Sequence, residues 1–299
     1  MGFCAVFEDT ITLPVDAVLA ARYLSFLKET SGTQGAVKTA YNALKWLHNF
    51  VPDINKFNDP LDNKVVKCVL DSALRSLKIK RNNKLPLSPD IVKNIISSLS
   101  DNTSLLDIRN CLIITLAYSL LLRHDEISHI SCGHISKINN GLKFIIVASK
   151  TDVYKNGKDV FLAKDRGKFS VYGLFFRYLS LAHLSLGDNH FLFGPIIFDN
   201  KNKVHRIENH ILSYNSYRNI LRDKLSSIGL NPNQFGFHSC RSGGASALAS
   251  SVSQFELMNS GRWKDPRSIS HYVSIPEDRR LDISKKLFFH WYDTLTFNL

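Results

Sequence analysis

The longest apolar run in the chain, CLIITLAYSLLL over residues 111–122, stops abruptly at Arg123-His124-Asp125-Glu126. At 12 residues it is far shorter than the roughly 20 that a helix needs to cross a bilayer. It also carries Thr115, Tyr118 and Ser119. A segment apolar on every side and too short for a membrane belongs inside a globular domain. It therefore predicts a buried helix over about 105–122, with the charged residues after it emerging beside the core.

The segments around this run have a different pattern. Through residues 13–30, Val15, Val18, Leu19, Tyr23, Phe26 and Leu27 recur at helical spacing, with Pro14 suited to a first turn and Ser31-Gly32 as a break. A second stripe runs through Val37, Ala40, Tyr41, Leu44, Leu47 and His48, and a third through Val65, Val66, Val69, Leu70, Ala73, Leu74 and Leu77. Short amphipathic helices with brief connections predict a small bundle. The basic stretch KIKRNNKLPLSPD (78–90) reads as a linker, either a strap for a phosphate backbone or a solvated hinge. Ser88-Pro89-Asp90 supplies a cap and a first-turn proline for the next helix.

Farther along, LKFIIVAS (142–149) and DVFLA (159–163) are rich in β-branched and aromatic residues. They flank the turn signal Lys155-Asn156-Gly157-Lys158, predicting an antiparallel hairpin that could take a third strand. Helical patterns resume at about 170–184, 213–228, 240–250, 253–260, 266–273 and 278–293. The expected fold is mainly α: an N-terminal helical bundle over 1–83, then an α-helical domain with a small antiparallel β-sheet over 84–299. A length of 299 residues suits two domains.

Charge and cysteine usage narrow the class. The net charge is +12, divided as +3 before residue 84 and +9 from there on. A spread-out excess of this kind suits a folded surface that binds a polyanion. The five cysteines are scattered without a CxxC pair, so a disulfide framework is not expected and an intracellular protein is. Glu8 and Asp9 near the start, with no basic leader, argue against secretion. Cys132-Gly133-His134 could begin a zinc site but has no second ligand pair at suitable spacing.

The sequence has no GxGxxG, GxxxxGK[ST] or HExxH motif. What it offers is an ordered series of cations and aromatics. Arg123 follows the apolar run, with Glu126 three residues on. Lys150 lies at the end of the first hairpin strand. His238 and Arg241 stand three apart, on one face of a helix, where both can aim at one phosphate. Gly243, Gly244 and Ala245 then leave that helix bare for close approach of another backbone. Trp263 precedes Tyr272 by nine residues. Singly, each has a bland alternative: a helix-end cation, a hairpin lysine, a surface HxxR pair, a core tryptophan.

Taken in order, the series resembles the tyrosine recombinase/integrase family, over about residues 85–275. LLLRHDEIS and SKT are similar to the family's arginine box and hairpin lysine, and the wording HSCRSGGAS, GRWK and YV resembles most the Crypton and DIRS-type recombinases of eukaryotic mobile elements. The resemblance implies that the N-terminal bundle is a core-binding domain and that the rest is the catalytic domain. It implies Tyr272 as nucleophile, Arg123 and Arg241 as phosphate-neutralising cations, Trp263 as an indole N–H donor, and Lys150 as proton donor to the leaving 5′-oxygen. His238 would be a proton shuttle or phosphate ligand, with Glu126 orienting Arg123 or His238. The product would be a 3′-phosphotyrosyl bond, made without ATP, metal or other cofactor. The partner would be double-stranded DNA, bound by a homo-oligomer of two to four copies, away from membranes and in the nucleus of a eukaryotic host.

Elementary chemistry supports the same roles. Breaking a phosphodiester without a metal requires cations where charge concentrates in the transition state, and two guanidiniums can supply forked donors. A tyrosine, ordinarily titrating near pH 10, needs a base or a local positive field.

The sequence also departs from the family pattern. Trp263 stands where many members have His, Lys155 or Lys158 could replace Lys150, His271 directly precedes Tyr272, and 250–260 lacks an expected glycine. Competing readings are a type IB topoisomerase, a recombinase-derived DNA-binding protein without chemistry, and an RNA-binding protein, although no RRM or KH signature is present. The apolar tail with Leu287, Phe288, Phe289 and Trp291 could dock on a neighbouring subunit or on its own core.

Overall fold

The computed structural model describes residues 13–51, 59–77, 84–100, 104–147, 157–167, 169–199, 204–274 and 281. The chain forms two compact units, Met1–Asn82 and Asn83–Leu299.

The first unit holds helices α1 (Ala17–Ser31), α2 (Gln34–His48) and α3 (Lys64–Ser76), with a 3₁₀ turn at Pro60–Asp62. Each helix starts at a polar cap. Asp16 accepts from the amides of Val18 and Leu19, Thr33 from Ala36 and Asn63 from Val65. α1 ends at Gly32, whose φ of +61° provides the left-handed C-cap.

The buried face of α1 is rotated from the expected stripe. Ala20, Ala21 and Leu24 enter the core with Val37, Leu61, Val66 and Ala73, while Val18 is 68% exposed. Small residues at 20 and 21 let neighbouring helices approach, which a count of large apolar residues overlooks. His48 is also buried. Its Nε2 accepts from the amide of Val15, so the ring proton sits on Nδ1 and points to Asp59, 2.7 Å away.

The second unit is built around the apolar run. Helix α4 (Pro89–Ser97) starts at the Ser88 cap, as the sequence predicts, and α5 (Leu105–Ser119) holds Ile108, Cys111, Leu112, Ile113, Ile114, Leu116 and Ala117 in the core. The helix ends three residues earlier than expected. Leu121 turns into the left-handed region at φ 51°, and the short helix α6 (His124–Ser128) follows.

Strands β1 (Ile135–Ile138), β2 (Gly141–Ile146) and β3 (Lys158–Ala163) make an antiparallel sheet in that order, with Phe144 opposite Val160 and Leu142 opposite Leu162. The alternation places Leu142, Phe144, Ile146, Val160 and Leu162 in the core. Helix α7 (Val171–Ala182) adds Phe175 and Tyr178 to the same core. A second hairpin, β4 (Ile196–Asp199) with β5 (Val204–Ile207), was not expected from the sequence: its strands are four residues each and no Asn-Gly turn marks them.

Helices α8 (Tyr214–Ser227), α9 (His238–Leu248) and α10 (Gln254–Gly261) follow, then a 3₁₀ turn at Pro266–His271. The glycine face of α9 does what bare helix surface permits. A Cβ at Gly243 would overlap the Leu87 backbone, and one at Gly244 the Tyr118 carbonyl. Residues 84–87, from the expected linker, are docked: Leu85 donates to Gln234 O at 2.8 Å and Leu87 to Ser239 O at 3.0 Å. Lys150, Lys155 and the tail from 282 lie outside the described residues.

Among the described residues no helix is long and apolar enough to cross a membrane, and no three His, Cys, Asp or Glu cluster as for a metal ion. Cys132 is a buried thiol, pushed up to about 11 by burial.

Candidate active site

The local fold brings five of the six candidate residues, with Glu126, onto the end of α5 and the segments packed against it. Arg123 is the residue before α6. Its amide donates to Glu126 Oε2 at 2.8 Å and its Nη1 to Oε1 at 2.7 Å. Glu126 sits in the first turn of α6, 1% exposed, and accepts there from the N-terminal amide as capping carboxylates do. Burial alone would raise its carboxyl. The charge of Arg262, the Arg123 amide and the charge of Arg123 outweigh that and hold it below the ordinary glutamate range.

Arg241 is 0% exposed. Its Nη1 donates to Leu121 O and its Nη2 to Gly261 O, while Nη1 stands 3.8 Å from Glu126 Oε2. The expected fork toward a phosphate is thus partly committed to the protein's own backbone. The fork is redirected because Leu121, in its left-handed conformation, offers its carbonyl to the interior. The guanidinium carbon lies 4.6 Å from the Trp263 ring centroid and 5.1 Å from that of Tyr272. Burial, then the charge of Arg123, pull the Arg241 pKa below its usual value.

Trp263 is buried over Gly261, where its ring occupies the space of any side chain. Tyr272 follows the 3₁₀ turn, half-buried, its carbonyl accepting from Ser246 Oγ at 3.3 Å. The Tyr272 ring contacts Trp263 and His238, with centroids 5.0 and 4.9 Å apart. His238 opens α9 and is exposed as a residue, but its ring packs on Tyr272. Partial desolvation first, then Arg241 and Arg123, lower its pKa and favour the neutral imidazole at pH 7.

One cation was missed by the sequence reading. Arg262 lies between Gly261 and Trp263, in the GRW triplet, at φ 57°. Its Nη1 donates to Leu120 O (3.2 Å) and Ser260 O (3.0 Å), its Nη2 to Leu121 O (2.9 Å) and Glu126 Oε2 (2.7 Å). Non-glycine residues in this region are held against a strain of about 1–3 kcal/mol each. Two of them, Leu121 and Arg262, meet here. The signal available in the sequence was an arginine in a position where a helix ends before a tryptophan. Nothing in the spacing says that its backbone is left-handed.

Three guanidiniums thus surround one carboxylate, leaving a local excess of positive charge. Three buried donors of the same cluster, Arg241 Nε, Arg262 Nε and Trp263 Nε1, find no acceptor among the described residues. Buried donors are ordinarily paired, so this arrangement suits an anionic acceptor brought from outside.

No protein-family model matches the sequence, and no curated protein matches it. Solved structures do. The XerH site-specific recombinase bound to palindromic difH substrate, a post-cleavage complex, aligns with a TM-score of 0.66 at 16% identity, over 94% of this chain and 76% of that one. The Tn1549 transposon integrase in complex with transposon right end DNA aligns at 0.61 and 13% identity, over 95% and 90%. A lambda integrase dimer bound to a core site aligns at 0.56 and 14% identity, over 90% and 84%. At such identities the likeness is one of architecture, and the chain has the fold of the tyrosine recombinases and integrases.

Proposed function

We propose that this chain is a site-specific DNA recombinase that breaks and rejoins strands through a 3′-phosphotyrosyl intermediate. The observation that carries the reading is the tyrosine ring packed against a buried, net-positive guanidinium cluster with unpaired donors. The fold likeness to DNA-bound recombinases supports it. In this reading unit Met1–Asn82 grips DNA as a core-binding domain and unit Asn83–Leu299 carries the chemistry.

The Tyr272 hydroxyl attacks the scissile phosphorus. The new Tyr O–P bond forms as the P–O5′ bond breaks. Arg123, Arg241 and the Trp263 N–H stabilise the charge that gathers on the non-bridging oxygens. Neutral His238, against the Tyr272 ring, accepts the phenolic proton, and Lys150 donates a proton to the departing 5′-oxygen. A 5′-hydroxyl from a second strand then attacks the phosphotyrosine and releases Tyr272. The bond energy is kept in the intermediate, so no cofactor is required. Strand exchange between two duplexes requires several copies of the chain on paired sites, a homo-oligomer of two to four.

The test is covalent capture. Full-length wild type and Tyr272→Phe are incubated with sheared, nicked double-stranded DNA in EDTA, denatured in SDS, and the attached DNA is sequenced. Wild type attaches through 3′ ends and Tyr272→Phe does not. Equal attachment by both proteins removes Tyr272 from the nucleophile's role. Salt-sensitive DNA binding without attachment by either leaves a DNA-binding protein without chemistry.

A further inference from the structure

Two segments distant in sequence meet at the Leu120 and Leu121 carbonyls. One is the turn after α5, which leads into Arg123 and Glu126. The other is the end of α10, which leads into Trp263 and Tyr272. Arg262 joins them: its guanidinium reaches both carbonyls and Glu126 on one side, and Ser260 O within its own turn on the other. No other described side chain spans this junction with as many bonds. Arg241 contributes one bond to each side, to Leu121 O and Gly261 O.

We propose that Arg262 is a positioning residue: it latches the tyrosine-bearing segment to the arginine-bearing turn, fixing Arg123 through Glu126 and Trp263 through the backbone. The proposal rests on the reading of the site given above and deepens it. Both terminal nitrogens of Arg262 are committed to the protein, so its part is to position its neighbours. It holds Glu126, which holds Arg123 by two bonds. Its own backbone runs directly into Trp263, whose amide donates back to Met258 O at 3.0 Å. The left-handed backbone at 262 suits glycine best. An arginine there is explained by its guanidinium and by nothing in the backbone. The influence of Arg262 on the Glu126 carboxyl is the largest of those that lower it.

That conformation makes a clean variant possible. Arg262→Gly removes the latch while relieving the backbone, so a loss of rate in this variant does not come from strain at position 262. The experiment compares full-length wild type, Arg262→Gly, Arg262→Lys, Glu126→Gln and the Arg262→Gly/Glu126→Gln double variant. Each is given sheared, nicked DNA in EDTA over a range of concentrations. Both the rate of SDS-stable attachment at saturating DNA and the DNA concentration giving half that rate are read.

Arg262→Gly is expected to lose about 10- to 100-fold in the saturated rate, the scale of a small misplacement of reacting groups, with half-saturation changed by no more than about twofold. Arg262→Lys, which keeps the charge but not the fork, falls between it and wild type. The double variant is no slower than the slower single, because both act through one connection. A wild-type rate in Arg262→Gly overturns the latch. Should the glycine variant not fold, a wild-type rate in Arg262→Lys overturns it equally. Rate, half-saturation and melting temperature declining together assign Arg262 to stability alone, which also overturns it. No attachment by wild type removes the chemistry itself, and the latch with it. Attachment by wild type with an unaffected variant removes the latch only.

Discussion

Each compact unit carries an ionic network, and the two are built on opposite terms. In the first unit, Lys45 bridges Asp59 (2.8 Å) and Asp62 (2.6 Å), Lys67 reaches Asp62 (3.1 Å), and His48 closes on Asp59. Two lysines face two aspartates, and the side chain of Asp62 is 50% exposed. In the second unit, Glu126 is buried among Arg123, Arg262 and Arg241. The first network balances its charges and ties a loop to a helix bundle. The second leaves positive charge in excess and donors unpaired. Among the described residues, the surface network pairs its charges while the buried one leaves donors without acceptors, which is why the proposed anion belongs to the second.

The largest separation between the two comes from removing the carboxylate at the centre of the second. Glu126→Gln leaves three guanidiniums facing one another in a buried site, and breaking a buried pair in this way destabilises by about 3–5 kcal/mol. Urea denaturation of the full chain at pH 7 reads the loss as a lower midpoint. The pH dependence has a definite sign. The folded pKa of Glu126 is lowered, so its stabilisation is complete above the unfolded value and fades as pH falls through the folded one. The gap between wild type and Glu126→Gln therefore narrows on acidification below the ordinary glutamate range. A gap that is constant with pH would mean that Glu126 is not held as a carboxylate by its arginines.

A smaller loss follows from the one buried member of the first network. His48→Ala strands the Val15 amide and one face of Asp59. A buried donor left unmade costs about 1–3 kcal/mol. Hydrogen exchange at the Val15 amide separates this from general loosening: it quickens in the variant well before the amides inside α2 do. Unchanged protection at Val15 would show that the ring only fills space.

These two networks were not equally legible in the sequence. The apolar run at 111–122, the cap at Ser88, the hairpin strands and the glycine face of α9 all follow from local rules, because the residues that decide them lie within a turn or two of one another. Pro14, expected in the first turn of α1, instead precedes the helix, which starts after the Asp16 cap. The HxxR spacing and the nine-residue step from Trp263 to Tyr272 put candidate residues on neighbouring elements, and the fold brings their rings into contact. What local spacing does not carry is a backbone reversal in a residue that ordinarily avoids it. Leu121 and Arg262 adopt positive φ because bonds from segments more than 100 residues apart hold them there. The inward turn of Arg241 onto the Leu121 carbonyl has the same origin, and no local spacing announces it. On α1, Leu24 was overlooked and Val18 overrated because small Ala20 and Ala21 set which face is buried.

The smallest effect is the sharpest control on the comparison. Asp62→Asn removes a carboxylate that pairs with both Lys45 and Lys67, at 2.6 and 3.1 Å. Bond lengths alone would rank it beside Glu126, whose contact to Arg262 is 2.7 Å. Exposure reverses the ranking, since water and salt screen Asp62 and solvate the lysines when it is gone. The expected loss is about 0.2–1 kcal/mol at low salt, shrinking further when salt is added. The same salt series leaves most of the Glu126→Gln loss in place, because buried pairs are screened much less. Urea midpoints for both variants at low and high salt decide the matter. Equal salt sensitivity would mean that burial does not separate the two networks, and the distinction between a self-sufficient ionic clip and an anion-seeking cluster would fall.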